Sequence, residues 1–76
     1  MNNYLFIILD RYESSCSKVI PFRSNMKPIQ AFRFAYFENV EDNEEFYEDE
    51  IAINLCSGKQ LTTYDGEHTS YILIQH

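Results

Sequence analysis

The chain has no tryptophan, and among its 76 residues only two are glycine, two proline and two cysteine. Each scarcity excludes something. With Gly58 and Gly66 the only glycines, a phosphate-cradling loop of the G-x-x-x-x-G-K-[ST] or G-x-G-x-x-G kind cannot be built. Cys16 and Cys56 lack the C-x-x-C spacing of a zinc or redox site, and two thiols are too few for a disulfide framework. They are expected to be reduced and partly buried, packing as small hydrophobes. Long apolar runs are missing too. The run Tyr4 to Leu9 is six residues, against the roughly 20 needed to span a bilayer, and no basic stretch precedes it as in a signal peptide. The expectation is a soluble, cytoplasmic chain.

Catalytic chemistry is equally sparse. The histidines are His68, next to a predicted turn, and His76 at the last position. Neither Cys16 nor Cys56 is placed by spacing against a histidine as a nucleophile pair would require. There is no H-E-x-x-H. A calcium loop started at Asp42 would put Tyr47 where the motif needs glycine. No catalytic residue, metal site or cofactor is therefore expected, and the chain reads as a non-enzyme.

What the chain does have is acid, unevenly spread. Twelve acidic and six basic residues give a net charge of −6. Residues 1–37 hold five bases (Arg11, Lys18, Arg23, Lys27, Arg33) against Asp10 and Glu13. Residues 38–76 hold one base, Lys59, against ten acids. Eight of those ten lie within 38–50: Glu38, Glu41, Asp42, Glu44, Glu45, Glu48, Asp49 and Glu50. Like charges at i,i+4 cost a helix roughly 0.2–0.5 kcal/mol per pair. A stretch this dense, with no base inside it, also strains a compact state through self-repulsion.

Local patterns predict an α+β domain covering residues 1–76, with an antiparallel sheet of four to five strands, one main helix and an acidic helix or loop segment. Tyr4-Leu-Phe-Ile-Ile-Leu9 reads as a central strand. Lys18 to Phe22 reads as a second, which Pro21 places at an edge or ends, because proline cannot donate to a ladder. Asn25-Met-Lys-Pro28 resembles a helix entry with proline at the first position. Ile29, Phe32 and Tyr36 would then share one helical face, although Phe32, Phe34 and Tyr36 also alternate as a strand would. Ile51, Ile53 and Leu55 alternate as a half-buried strand. Ser57-Gly58-Lys59 is a turn, Gln60 to Tyr64 a strand, Asp65-Gly66 a hairpin signal, and Ser70 to Ile74 a last strand. A chain of this size buries only about 60% of the surface its unfolded form exposes, so the core is thin.

The acidic segment supplies the functional expectation. In a helical arrangement Glu41, Glu44, Glu45 and Glu48 would line one face, with carboxylates at i,i+4 about 6 Å apart along the axis. Phosphates on a DNA strand follow one another at about 3.4 Å of axial rise, so a carboxylate row offers a DNA-binding protein a comparable line of charge. Phe46 and Tyr47 would add apolar anchoring, or else pack onto the domain's own core. In size, charge and residues 38–50 the chain resembles the small acidic phage proteins that disable host DNA-binding proteins by mimicking DNA. That resemblance implies a basic partner, such as a nucleoid-associated protein, a nuclease or a transcription factor, and no direct nucleic-acid binding. The partner-binding residues would be Glu38, Glu41, Asp42, Glu44, Glu45, Phe46, Tyr47, Glu48, Asp49 and Glu50. Two other readings stand beside it. One is a homo-oligomeric assembly protein, in the simplest case a homodimer, whose acidic loop merely keeps it in solution. The other is an antitoxin-like binder of a basic partner.

Overall fold

A computed structural model of the chain describes residues 1–40 and 46–76. Five strands and one α-helix follow in order: β1 (Asn2–Asp10), β2 (Lys18–Ser24), α1 (Pro28–Asn39), β3 (Ala52–Cys56), β4 (Lys59–Asp65) and β5 (Thr69–Gln75), with short 3-10 turns at Ser14–Cys16 and Glu48–Glu50. The strands form one sheet in the order β2-β1-β5-β4-β3, and every pairing is antiparallel. This is the α+β architecture the sequence predicts. β2 is an edge strand, with Pro21 paired to Leu5. β1 lies inside the sheet, between β2 and β5.

The helix begins as expected. Pro28 takes the first helical position and the backbone N–H of Lys27 donates to the Gln30 side chain at 3.4 Å. It stops at Asn39, whose side-chain amide donates to the Ala35 carbonyl at 2.8 Å, while Val40 turns to extended backbone. The buried face is Ala31, Phe32, Ala35 and Tyr36. Ile29, expected on that face, is 40% exposed. The two alanines bring the helix close to the sheet, and Phe32 and Tyr36 then fill the interface. Phe32 meets Phe6 edge-on at 5.7 Å and Tyr36 meets Tyr71 edge-on at 5.0 Å. Aromatic rings therefore make most of the core: Tyr4, Phe6, Phe32, Tyr36, Tyr64 and Tyr71, with Leu73 beneath them. Such contacts are worth about 0.5–1.5 kcal/mol per pair beyond area burial.

Buried tyrosine needs a partner for its hydroxyl. Tyr4 donates to the Met26 carbonyl at 2.5 Å, fixing the turn that leads into α1, and Tyr64 Oη accepts from the Tyr47 N–H at 3.3 Å. At the far end Arg11 clamps the β4–β5 hairpin, its guanidinium donating to the Gly66 and Glu67 carbonyls.

Two further expectations fail here. The strand of Ile51, Ile53 and Leu55 was predicted to be half-buried; Ile51, just before β3, packs against the core, yet every residue of β3 itself is exposed. It is the sheet edge beyond the reach of α1, so Ile53 and Leu55 point to the helix side without cover; Leu55 is 79% exposed. The cysteines are free, but exposed rather than partly buried: Cys16 lies in a surface turn and Cys56 on the same bare edge strand.

Candidate acidic interaction site

Phe46 fastens the chain leading into the turn at Glu48–Glu50 to the domain. Its ring stacks on Tyr36 at 4.4 Å and packs against Tyr64 at 4.9 Å and Phe37 at 5.5 Å. Phe46 is thus turned into the domain's own aromatic core, the second of the two roles open to it. Tyr47, the next residue, faces outward and is 48% exposed, while its backbone N–H is held by Tyr64. A single 3-10 turn follows, and all three of its residues, Glu48, Asp49 and Glu50, are acidic and exposed.

Of the expected partner-binding residues, the structure places Glu38, Phe46, Tyr47, Glu48, Asp49 and Glu50. Glu41, Asp42, Glu44 and Glu45 lie outside the described residues, and with them most of the helical carboxylate row expected for 41–48; Glu48, its last member, sits in the 3-10 turn. Glu38 is exposed in the last turn of α1. Glu48 forms an ion pair with Arg33 on the outer face of the helix. Both partners are about half exposed, which makes the pair worth about 0–1 kcal/mol. Its effect is to hold the 3-10 turn against α1. Arg33 was not expected in this role; it stands fifteen positions from Glu48, and no local spacing connects them. Phe37, 61% exposed beside Phe46, is a second unexpected member.

The helix carries its charges against its own dipole. The N-terminal end has no acid in its first turn and begins at Lys27, while the C-terminal end has no base and carries Glu38. Helix ends favour the reverse placement by about 0.3–1 kcal/mol per charge. Helix stability therefore does not account for Glu38.

The topology widens this polarity. Lys18 and Arg23 sit on β2, at one edge of the sheet, and the acidic turn leads into β3, at the other. With strands about 4.8 Å apart, those edges are about 19 Å from each other. An imbalance along the sequence becomes a separation across the molecule.

A concavity of about 410 Å³ opens where β1 and β5 meet the end of α1 and is lined by Cys16, Lys18, Asn39, His68 and Tyr71 among others. A cysteine and a histidine thus share a cleft. However, the Cys16 thiol donates to a Glu13 carboxylate oxygen at 3.4 Å, and that hydrogen bond, with desolvation, pushes its pKa up. A nucleophilic thiol needs the opposite shift. His68 lies edge-on to the Tyr12 ring at 5.2 Å and 3.9 Å from a Glu67 carboxylate oxygen. Among the described residues no cluster of three or more His, Cys, Asp or Glu side chains is arranged to hold a metal ion. No helix among them is long and apolar enough to cross a membrane. Comparison with protein-family models, with curated proteins and with solved structures returns no match.

Proposed function

We propose that this protein is a non-catalytic binding protein that presents its 38–50 carboxylates to a basic, DNA-binding partner, as a DNA mimic. The observation that carries the reading is the placement of exposed acids where folding does not favour them. Glu38 sits at the negative end of α1, and Glu48, Asp49 and Glu50 crowd one turn with Arg33 as the paired counter-ion of Glu48. Self-repulsion of this kind lowers stability, and a partner rich in lysine and arginine would relieve it.

The rim has the make-up of an electrostatic interface. Carboxylates would steer the encounter and set its salt dependence, and the exposed rings of Phe37 and Tyr47 beside them would supply desolvated contact. Phe46, packed inward, acts as the anchor that keeps the acidic turn in place. The partner's nucleic-acid surface would be occupied and closed to DNA. This is the action by which a phage protein would disable a host nucleoid-associated protein, nuclease or transcription factor.

The test is capture of partners from bacterial lysate on the immobilised protein, followed by competition with duplex DNA. The expected result is a DNA-binding protein that elutes as salt rises and is displaced by DNA. The Asp49→Lys/Glu50→Lys double variant should retain less than a tenth of the captured partner, since each close charge pair at an interface is worth about 1.5 kcal/mol or more. Both residues are exposed, so its far-UV circular dichroism should stay unchanged. Retention of the partner by the double variant would remove the acidic turn from the interaction.

A further inference from the structure

The sheet has a second face, and no described element covers it. α1 packs on the side that carries Tyr4, Phe6, Tyr64, Tyr71 and Leu73. Register fixes what points the other way. Leu5 lies between Pro21 and Ile74, and Ile7 between Val19 and Ile72. Leu61 extends the first row onto β4, beside Ile74. A sheet with one face in water alternates apolar and polar residues along its strands. β1 and β5 do not: Leu5-Phe-Ile-Ile-Leu9 and Tyr71-Ile-Leu-Ile74 are apolar on both faces, the pattern of strands buried on both sides. Yet Val19 is 62% exposed and Leu9 40% exposed.

We infer that this open face is a homodimer interface, on which a second copy packs sheet against sheet. The area fits. Strands of about seven residues at about 3.3 Å each, spread over about 20 Å of sheet, give about 450–500 Å² per copy. Two copies bury about 900–1,000 Å², the low end for a specific interface, and a contiguous apolar patch of this size often marks a functional surface.

The charges fit a second copy as well. The described part of the face is charged only near strand ends, by Arg23 on β2 and by two residues of β4. Asp65 closes β4 at one end and Lys59 opens it at the other, both in phase with Leu61 and Thr63 on the open side. A two-fold axis lying between the sheets and running across the strands places β4 over β4 in the opposite direction. Asp65 of each copy then meets Lys59 of the other. Self-complementarity of this sort is what a two-fold interface requires, and aligned sheets pack at about −30° and about 10 Å apart. The acidic rim lies off this face, so the dimer stands independently of the partner-binding proposal.

Sedimentation equilibrium of the full chain over a range of concentrations tests this. The expected species is twice the 9.1 kDa chain mass. Val19→Lys should weaken self-association by about tenfold, as setting an unpaired charge against the partner's apolar face does. Asp65→Lys alone should weaken it as well, and Asp65→Lys combined with Lys59→Asp should restore it. The swap lies at exposed strand ends, so it remains informative if Val19→Lys fails to fold. A monomer at every concentration would overturn the proposal. So would a dimer indifferent to all of these changes, which would place self-association on the bare β3 edge instead.

Discussion

Thr62 is fully buried beneath α1, and its hydroxyl finds no hydrogen-bond partner among the described residues. A buried polar group left unpaired costs about 1–3 kcal/mol, and an apolar group of the same shape avoids that cost. Thr62→Val should therefore stabilise the domain by about 1 kcal/mol, raising the melting temperature by about 4–8 °C for a chain of this size. Thermal unfolding followed by circular dichroism reads this directly. Asp10 is the counterpart, a polar residue with its partners in place. Its carboxylate accepts the backbone N–H groups of Tyr12 and Glu13, both at 2.9 Å. Those bonds, from Glu13 first and then Tyr12, hold its pKa below the ordinary value. A depressed folded-state pKa contributes stability that is present above the ordinary carboxylate value and is lost as pH falls through the folded one. Asp10→Ala should accordingly melt below the native chain at neutral pH, with the gap narrowing in acid. Melting temperatures of both chains between pH 7 and about pH 2 check this.

The elements follow their local signals wherever a signal is chemical rather than positional. The β3–β4 turn is an example. Ser57 and Gly58 both adopt positive φ, 54° and 77°, as the two central residues of a type I′ hairpin must. A Cβ added at Gly58 would touch nothing within 4 Å, so the whole effect of Gly58→Ala is backbone strain, about 1–2 kcal/mol for a left-handed non-glycine residue. Denaturant melts should show that loss without a change in slope, since the folded surface stays the same. The helix entry at Pro28 and the edge position of β2 were legible for similar reasons: proline has one φ and no N–H to give. The burial of β3 was not legible. The alternation of Ile51, Ile53 and Leu55 names a face that should be covered, and only Ile51, just before β3, is. Whether a helix of twelve residues reaches that far depends on where it crosses the sheet.

At the scale of the molecule, two surfaces compete for explanation and are physically distinct. One is the acidic rim at the end of α1 and the approach to β3, where attraction would be long-ranged and fall with salt. The other is the open sheet face, where association would be hydrophobic and little affected by salt. The lysate capture and the sedimentation experiment therefore report on different forces. A salt titration separates them even within one sample: partner release should track ionic strength, and the dimer should not.

The sequence by itself determined the α+β class, the identity of the strands, the helix start and the concentration of acid in 38–50, because period, proline, glycine and charge act within a few residues of where they stand. It could also list candidate contact residues, but not assign their directions. Phe46 and Tyr47 are adjacent aromatics with the same local claims, yet Phe46 joins the core between Tyr36 and Tyr64 while Tyr47 faces out. Arg33 becomes the counter-ion of Glu48 only because the chain returns across the helix. The apolar run of β1 promised burial on both faces, and a chain with one α-helix among its described residues covers one of them. Those outcomes depend on contacts between residues distant in sequence, and only the tertiary structure brings those residues together.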